Sequence, residues 1–493
     1  MPLPTYPARH LGLLAALWLA ATAAWTAPAL PADVTAALAR AGVPRDALVA
    51  LVEELSPLRR AAPRLAWQPQ RPVNPASLMK LLTTQAALDL LGPAWTWSTP
   101  VWLDGSVGAD GVLDGNLVIR GSGDPTLVLE KVWLLLQRVR QQGVREIRGD
   151  IVLDRSAFAA AGADPADPGD FDDEPLRPYN VRPDALLLNY KSIALTFTPD
   201  AAQQRALVTV EPALTGVDVD ATVALGDGAC GDWRAALRLD ASQPLRLRFA
   251  AAGSQFALAC GEKTWRIAPP DPASYNARLL TALWSAMGGS LRGVVRDGAA
   301  PAGPPRFALA SRALADVVRD INKFSNNVMA QQLFLTLGLT QRGEGSTEAA
   351  RAVLRSWLAE RFGDAGRAAL VDNGSGLSRD NRVSAQLLAE LLRAAWAGPA
   401  MPELLASLPL AGVDGTLRRS TVATGRAHLK TGTLRDVAGV AGVVLADSGR
   451  RYALVAIINH PNANAARAAF DALLQWTAAD VPTLISKATK PPE

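Results

Sequence analysis

A change of texture in the middle of the chain limits its possible folds more than any other feature. From about residue 98 to 300, short alternating segments (101–107, 115–121, 149–156, 193–199, 205–212, 245–251 and 255–261) are separated by Gly and Asp-Pro turns. That period-two pattern predicts strands, interrupted by one helix over about 125–142. The flanking regions read differently. Before the strand-rich stretch come a helical pattern from residue 33, a strand over 48–52 and a helix over 75–91. After it come helices over 311–320, 325–337, 346–361 and 384–396, strands over 426–433, 437–445 and 451–458, and a closing helix over 463–477. The opening part is too small to bury a core of its own. The economical reading is one α/β domain, residues 28–98 and 301–485, split by a β-rich insertion over 99–300. Two nested small domains are expected within it, 99–125 with 200–300 enclosing 126–199.

Composition removes several function classes. Apolar residues make up 49% and charged residues 19% of 493, which suits a folded protein rather than a disordered one. A net charge of +4 on a chain this long gives no reason to expect a nucleic-acid partner. The only histidines are His10, His428 and His460, and the only cysteines Cys230 and Cys260, with no HExxH or CxxC spacing. No metal site is therefore expected. There is no phosphate-binding loop and no GxSxG elbow. Eight lysines stand against 42 arginines, so a lysine in a chemically suggestive place carries information here.

The N-terminus places Arg9 before an apolar run over 11–21 and small residues ending in Ala21-Thr22-Ala23. This is the pattern of a secretory signal, expected over 1–24, with an uncleaved anchor as the alternative. Export predicts a structural disulfide between Cys230 and Cys260, both in strand-like segments, with two unpaired buried thiols as the alternative. The acidic stretch 164–178 reads as a solvated loop. Residues 481–493 have too little amphipathic length for a membrane anchor.

Three short motifs carry chemistry. Ser77 and Lys80 lie three residues apart at the start of the helix expected over 75–91, with Asn74 as its cap and Pro75 in its first turn. On a helix, i and i+3 share a face, so the amine can approach the hydroxyl. A desolvated Lys with a lowered pKa can take the Ser proton, which supplies nucleophile and base without histidine. Ser325-Asn326-Asn327 opens a second helix, where Ser325 and Asn327 can enter a cleft or Ser325 can simply cap. In Lys430-Thr431-Gly432-Thr433, alternation places Lys430 and Gly432 on one strand face. Gly432 would let a ligand lie close to the backbone, and Lys430 would offer positive charge to a carboxylate. His428 shares that strand face, as a cleft or packed residue; His460 falls in a turn.

In this order, SxxK, SxN and KTG form the set described for penicillin-recognising serine enzymes. The chain resembles the class C low-molecular-mass penicillin-binding proteins, a D-Ala-D-Ala carboxypeptidase/endopeptidase group (peptidase family S13, penicillin-binding protein 4-like). The 248 residues between Ser77 and Ser325 match its long insertion, as do the stretches 121–127, Tyr190, 372–379 and 410–420. Ser-Asn-Asn replaces the more frequent Ser-Asp-Asn at a position that is not the clamp.

The resemblance implies a serine β-lactamase/D,D-peptidase-like transpeptidase fold, an antiparallel sheet with helices. It implies Ser77 as acylated nucleophile, Lys80 as its base and Ser325 as proton relay to the leaving amine. Asn327 would hold the substrate amide, and Lys430, Thr431 and Thr433 would bind a terminal carboxylate or assist proton movement. Backbone N–H groups of Ser77 and Thr433 would form the oxyanion hole. The implied substrates are peptidoglycan stem peptides, with β-lactams as inhibitors, no cofactor and a periplasmic location. The competing readings are a β-lactamase or esterase using the same Ser-Lys chemistry, and a non-catalytic wall-binding scaffold.

Overall fold

The computed structural model describes residues 29–56, 62–159, 171–249 and 253–480. The expected signal over 1–24, the tail 481–493 and part of the acidic stretch lie outside them.

The two flanking regions build one sheet. Its strand order is Ala427–Leu434, Val437–Leu445, Arg451–Asn459, Leu48–Glu54, Leu65–Trp67, antiparallel throughout. N-terminal residues 48–54 thus pair directly with residues 452–458, which joins the two flanking regions in one sheet. Both faces of the central strands are covered, so these strands are apolar without alternation. Leu48, Ala50, Val52, Leu454 and Ala456 pack in one core with the helices Ala32–Arg40 and Arg467–Ala478. Val49, Leu51, Val455 and Ile457 face the other way into a helical layer. At the centre of that layer runs Met79–Leu91, buried at every position from Met79 to Leu88. A truncation such as Leu81→Ala would cost about 2–5 kcal/mol. The polar side chains of this helix are bonded inside the core, Thr83 Oγ1 to the Gly374 carbonyl at 2.7 Å and Thr84 Oγ1 to the Lys80 carbonyl at 2.7 Å.

The insertion leaves and rejoins on a stem. Ser98–Val107 pairs with Phe307–Ala310, and Ser311 N donates to the Trp97 carbonyl at 3.0 Å. The return point therefore lies beyond the expected residue 300. The nesting also differs from expectation. Ser98–Val107, Val112–Arg120, Ile151–Asp154 and Val295–Asp297 join one seven-stranded sheet, while Ile193–Asp200, Arg205–Glu211, Thr222–Gly226 and Lys263–Ile267 lie together in a second. The inner unit is thus about 193–267, not 126–199, because parallel pairing joins residues 117–120 to 151–154 and 151–153 to 295–297. Besides Leu129–Gln141, the insertion holds a second long helix, Tyr275–Ala286. Cys230 and Cys260 are disulfide-bonded. Neither lies in a strand: Cys260 ends the 3-10 turn Leu258–Cys260, and Cys230 lies in a loop. Among the described residues, no helix is long and apolar enough to cross a membrane.

Candidate active site

The start of the central helix is built differently from the expected single helix over 75–91. Ala76–Leu78 forms a 3-10 turn, and the α-helix begins at Met79. The cap position is Pro75, without a side-chain cap bond, rather than the expected Asn74; Asn74 lies one residue earlier and its Oδ1 accepts from Ala76 N at 2.8 Å. Ala76 is held at φ +46°, a conformation that costs about 1 kcal/mol or more for a residue with a Cβ. Two glycines confine this turn. A Cβ on Gly376 would lie 2.0 Å from the Ala76 carbonyl oxygen, and one on Gly432 would lie 2.8 Å from that of Pro75. Ser77 sits half-buried at this pinch point, in the first turn of the helical segment, where backbone N–H groups lack helical partners.

Lys80 is fully buried. Its Nζ lies 2.9 Å from Ser77 Oγ and donates to Asn327 Oδ1 and to the Ser375 carbonyl, both at 2.6 Å. None of these partners carries charge. Burial, with the nearby Lys430 charge as a smaller cause, pulls the Lys80 pKa well below its ordinary 10.5. A neutral amine has two N–H donors and one lone pair. With the two carbonyl oxygens taking the donors, the lone pair is left for the Ser77 hydroxyl.

Ser325 is not the cap of the following helix. It ends Leu314–Phe324 in the left-handed region at φ +55°, and Asn326 caps Asn327–Arg342 by accepting from Met329 N at 3.1 Å. This break lets Ser325 and Asn327 point into one site from two helices. Asn327 reaches Lys80 and also donates from Nδ2 to the Tyr179 carbonyl of the insertion at 3.2 Å, which fixes its amide orientation.

Lys430 is also fully buried, on the edge strand Ala427–Leu434. It donates to Ser325 Oγ at 2.8 Å and to the Thr431 carbonyl at 2.6 Å, and burial lowers its pKa to about 7. Leu429 N donates outward from the strand to the Pro409 carbonyl. Alternation in an antiparallel strand turns the N–H groups of Thr431 and Thr433 to the same outer edge. Thr433 is exposed, and its Oγ1 accepts from Arg467 Nη2 at 3.1 Å.

All the residues singled out in the three motifs therefore meet in one place. Ser375, Tyr179, Thr416 and Arg467 join them without having been assigned there. Ser375 lies in the stretch 372–379 that matches the family, but nothing in its residue types marks a carbonyl aimed at Lys80. Thr416 Oγ1 lies 2.8 Å from Thr431 Oγ1. His428 is half-buried near Lys323 and Asp414, and its Nδ1 has no hydrogen-bond partner. Desolvation, with Lys323 adding to it, lowers its pKa. His460 Nδ1 accepts from Asn462 N at 3.0 Å and so organises a turn. Among the described residues, no three His, Cys, Asp or Glu side chains gather as a metal site.

The arrangement offers a hydroxyl beside a buried amine, a side-chain amide fixed in orientation, a second hydroxyl on a second buried amine and outward N–H groups at a strand edge. That set suits acyl transfer from a substrate laid along the strand. Comparison with known proteins agrees. A D-alanyl-D-alanine carboxypeptidase of Actinomadura sp. (strain R39) is 30% identical over 395 residues, 76% of this chain and 71% of its own. The D-alanyl-D-alanine carboxypeptidase DacB of Haemophilus influenzae is 26% identical over 405 residues, 78% of this chain and 80% of its own. The crystal structure of penicillin binding protein 4 from Haemophilus influenzae shares the fold. It has a TM-score of 0.69 at 22% identity, covering 90% of this chain and 99% of that one. A predatory endopeptidase from Bdellovibrio bacteriovorus shares it more distantly, with a TM-score of 0.51 at 14% identity over 87% of this chain and 92% of that one. The D-Ala-D-Ala carboxypeptidase 3 (S13) family matches residues 33–480 of the sequence. Motif order, fold and family match coincide, and the chain belongs to the D-Ala-D-Ala carboxypeptidase 3 (S13) family.

Proposed function

We propose that this protein is an exported serine D,D-peptidase that acts on peptidoglycan stem peptides through an acyl-enzyme on Ser77. It removes the terminal D-Ala and cleaves D-Ala-diaminopimelate cross-links. The observation that carries the reading is the Lys80 environment: a buried amine with two neutral carbonyl acceptors and the Ser77 hydroxyl as its third neighbour.

Ser77 Oγ attacks the carbonyl carbon of the penultimate D-Ala while Lys80 Nζ takes its proton. The N–H groups of Ser77 and Thr433 receive the developing oxyanion. Asn327 Nδ2 holds the stem-peptide amide carbonyl. As the C–N bond breaks, the Ser325 hydroxyl gives its proton to the leaving amine and is reprotonated through Lys430. The proton that Lys80 took from Ser77 replaces the one Lys430 gave up, so Lys80 is neutral again when it deprotonates the hydrolytic water, and it returns that proton to Ser77 Oγ as the ester breaks. The substrate's terminal carboxylate lies beside Lys430, Thr431 and Thr433. A β-lactam would acylate the same Ser77. The Cys230–Cys260 disulfide supports an oxidising compartment, as does the signal-like pattern in the first residues.

The test is incubation with defined muropeptides, a pentapeptide monomer and a cross-linked dimer, resolved by chromatography. The reading predicts D-Ala release from the first and monomers from the second, with both lost in Ser77→Ala. Intact substrates with folded wild-type protein would contradict it.

A further inference from the structure

We infer that Lys323 and Asp414 are positioning residues that hold the Ser325 hydroxyl against Lys430. The inference rests on the proposed role of Ser325 in delivering a proton to the leaving amine.

Three side-chain contacts and three short stretches of backbone close a ring around this part of the site. Ser325 Oγ accepts from Lys430 Nζ at 2.8 Å. One residue along the strand, Thr431 Oγ1 meets Thr416 Oγ1 at 2.8 Å. Two residues before Thr416, the Asp414 carboxylate takes Lys323 Nζ at 2.6 Å. Two residues after Lys323, the ring returns to Ser325. Lys323, although a lysine, is buried, so its charge has little water to turn to and depends on Asp414.

The loop bearing Asp414 is fixed independently. Asp414 Oδ1 accepts from Leu410 N at 2.8 Å, and Leu429 N donates to the Pro409 carbonyl at 2.9 Å, which seats the loop on the strand carrying Lys430. The close approach also needs glycine at 415. That residue has φ +56°, and a Cβ there would lie 2.5 Å from the Lys323 carbonyl oxygen. On the helix side, Asn322 Nδ2 donates to Ser407 Oγ at 2.9 Å.

Ser325 is a left-handed helix-ending residue between two helices that meet at a break, and its hydroxyl accepts from Lys430. The Lys323–Asp414 pair ties that break, through a charged contact, to the loop seated on the strand. Without it, Ser325 keeps its hydroxyl but loses its registration on Lys430. The loss should fall on the step that needs a proton delivered.

The experiment compares an amide substrate, an acyl-D-Ala-D-Ala peptide, with a thioester of the same acyl group, whose thiolate leaves without protonation. Asp414→Asn should lower kcat/KM on the amide by about tenfold or more and on the thioester by under about threefold, as expected for partial loss of a general acid. Asp414→Glu should recover most of the amide activity. Thr416→Val opens the ring at an exposed link and should show the same amide-selective loss, which keeps the test valid if Asp414→Asn does not fold. Equal losses on both substrates, or none, in the folded variants would overturn the inference. Ser325→Ala separates the two claims. Amide-selective loss there without any in Asp414→Asn and Thr416→Val rejects the tether alone. Its absence in Ser325→Ala rejects the relay reading, and the tether with it.

Discussion

Lys80 Nζ stands 2.9 Å from Ser77 Oγ, and its other two neighbours are uncharged carbonyl oxygens. Among the described residues, nothing in contact with the amine stabilises its protonated form as a carboxylate would. An ammonium in this place meets desolvation and a second buried lysine, so the neutral amine is favoured.

Arginine cannot replace the proposed base, because a guanidinium keeps its proton. Lys80→Arg should lower the rate of β-lactam acylation by about 10²- to 10⁴-fold, the range of a lost general base. In the wild type, that rate should rise with pH and level off well below the ordinary lysine pKa of 10.5. A stopped-flow acylation series across pH checks both statements.

Lys430 should matter according to the charge at the end of the substrate. Lys430→Ala is expected to reduce kcat/KM for a pentapeptide with a free terminal carboxylate by about tenfold more than for its carboxamide, as a charge-assisted hydrogen bond of 1.5–3 kcal/mol implies. Steady-state kinetics on the two peptides measures the difference. Equal losses would remove the carboxylate role and leave Lys430 a proton carrier only.

The same burial has a cost in stability. Lys430 has a folded-state pKa of about 7 against an ordinary 10.5. The unfolded chain therefore binds the proton more readily, and stability rises with pH between those values. Lys430→Met should be more stable than the wild type at pH 7 and below, and the advantage should shrink by roughly 1 kcal/mol per pH unit as pH rises towards 10.5. Paired urea denaturation curves at several pH values report it.

Gly376 holds the Ser77 turn by contact as well as by conformation. It has φ +85°, and a Cβ would lie 2.0 Å from the Ala76 carbonyl oxygen. Gly376→Ala should cost about 2–4 kcal/mol and slow acylation together. Gly343→Ala is the control, since it has φ +75° but nothing within 4 Å of the new Cβ; its cost should be about 1 kcal/mol with acylation unchanged. Thermal melts and acylation rates on the pair separate collision from backbone strain.

The outer architecture was readable because it rests on local pattern. The strand Val437–Leu445 falls on its predicted residues, and Ser346 and Ser384 cap their helices as serines before apolar runs do. The three motifs were readable because their residue types are chemically rare here: two of eight lysines complete them. What sequence could not show depends on distant contacts. The φ of Ala76 is imposed by Gly376 and Gly432, hundreds of residues away in sequence. The carbonyls of Ser375 and Tyr179 act through backbone atoms that every residue has. The insertion's nesting turns on parallel pairing between strands separated by helices, which period-two alternation does not specify.

The most direct test is intact mass measurement of the full protein after brief incubation with benzylpenicillin, followed by peptide mapping. One stoichiometric adduct is expected, carried by Ser77 and absent from folded Ser77→Ala. An adduct on another residue, or none on folded wild-type protein with the drug unhydrolysed, would contradict it.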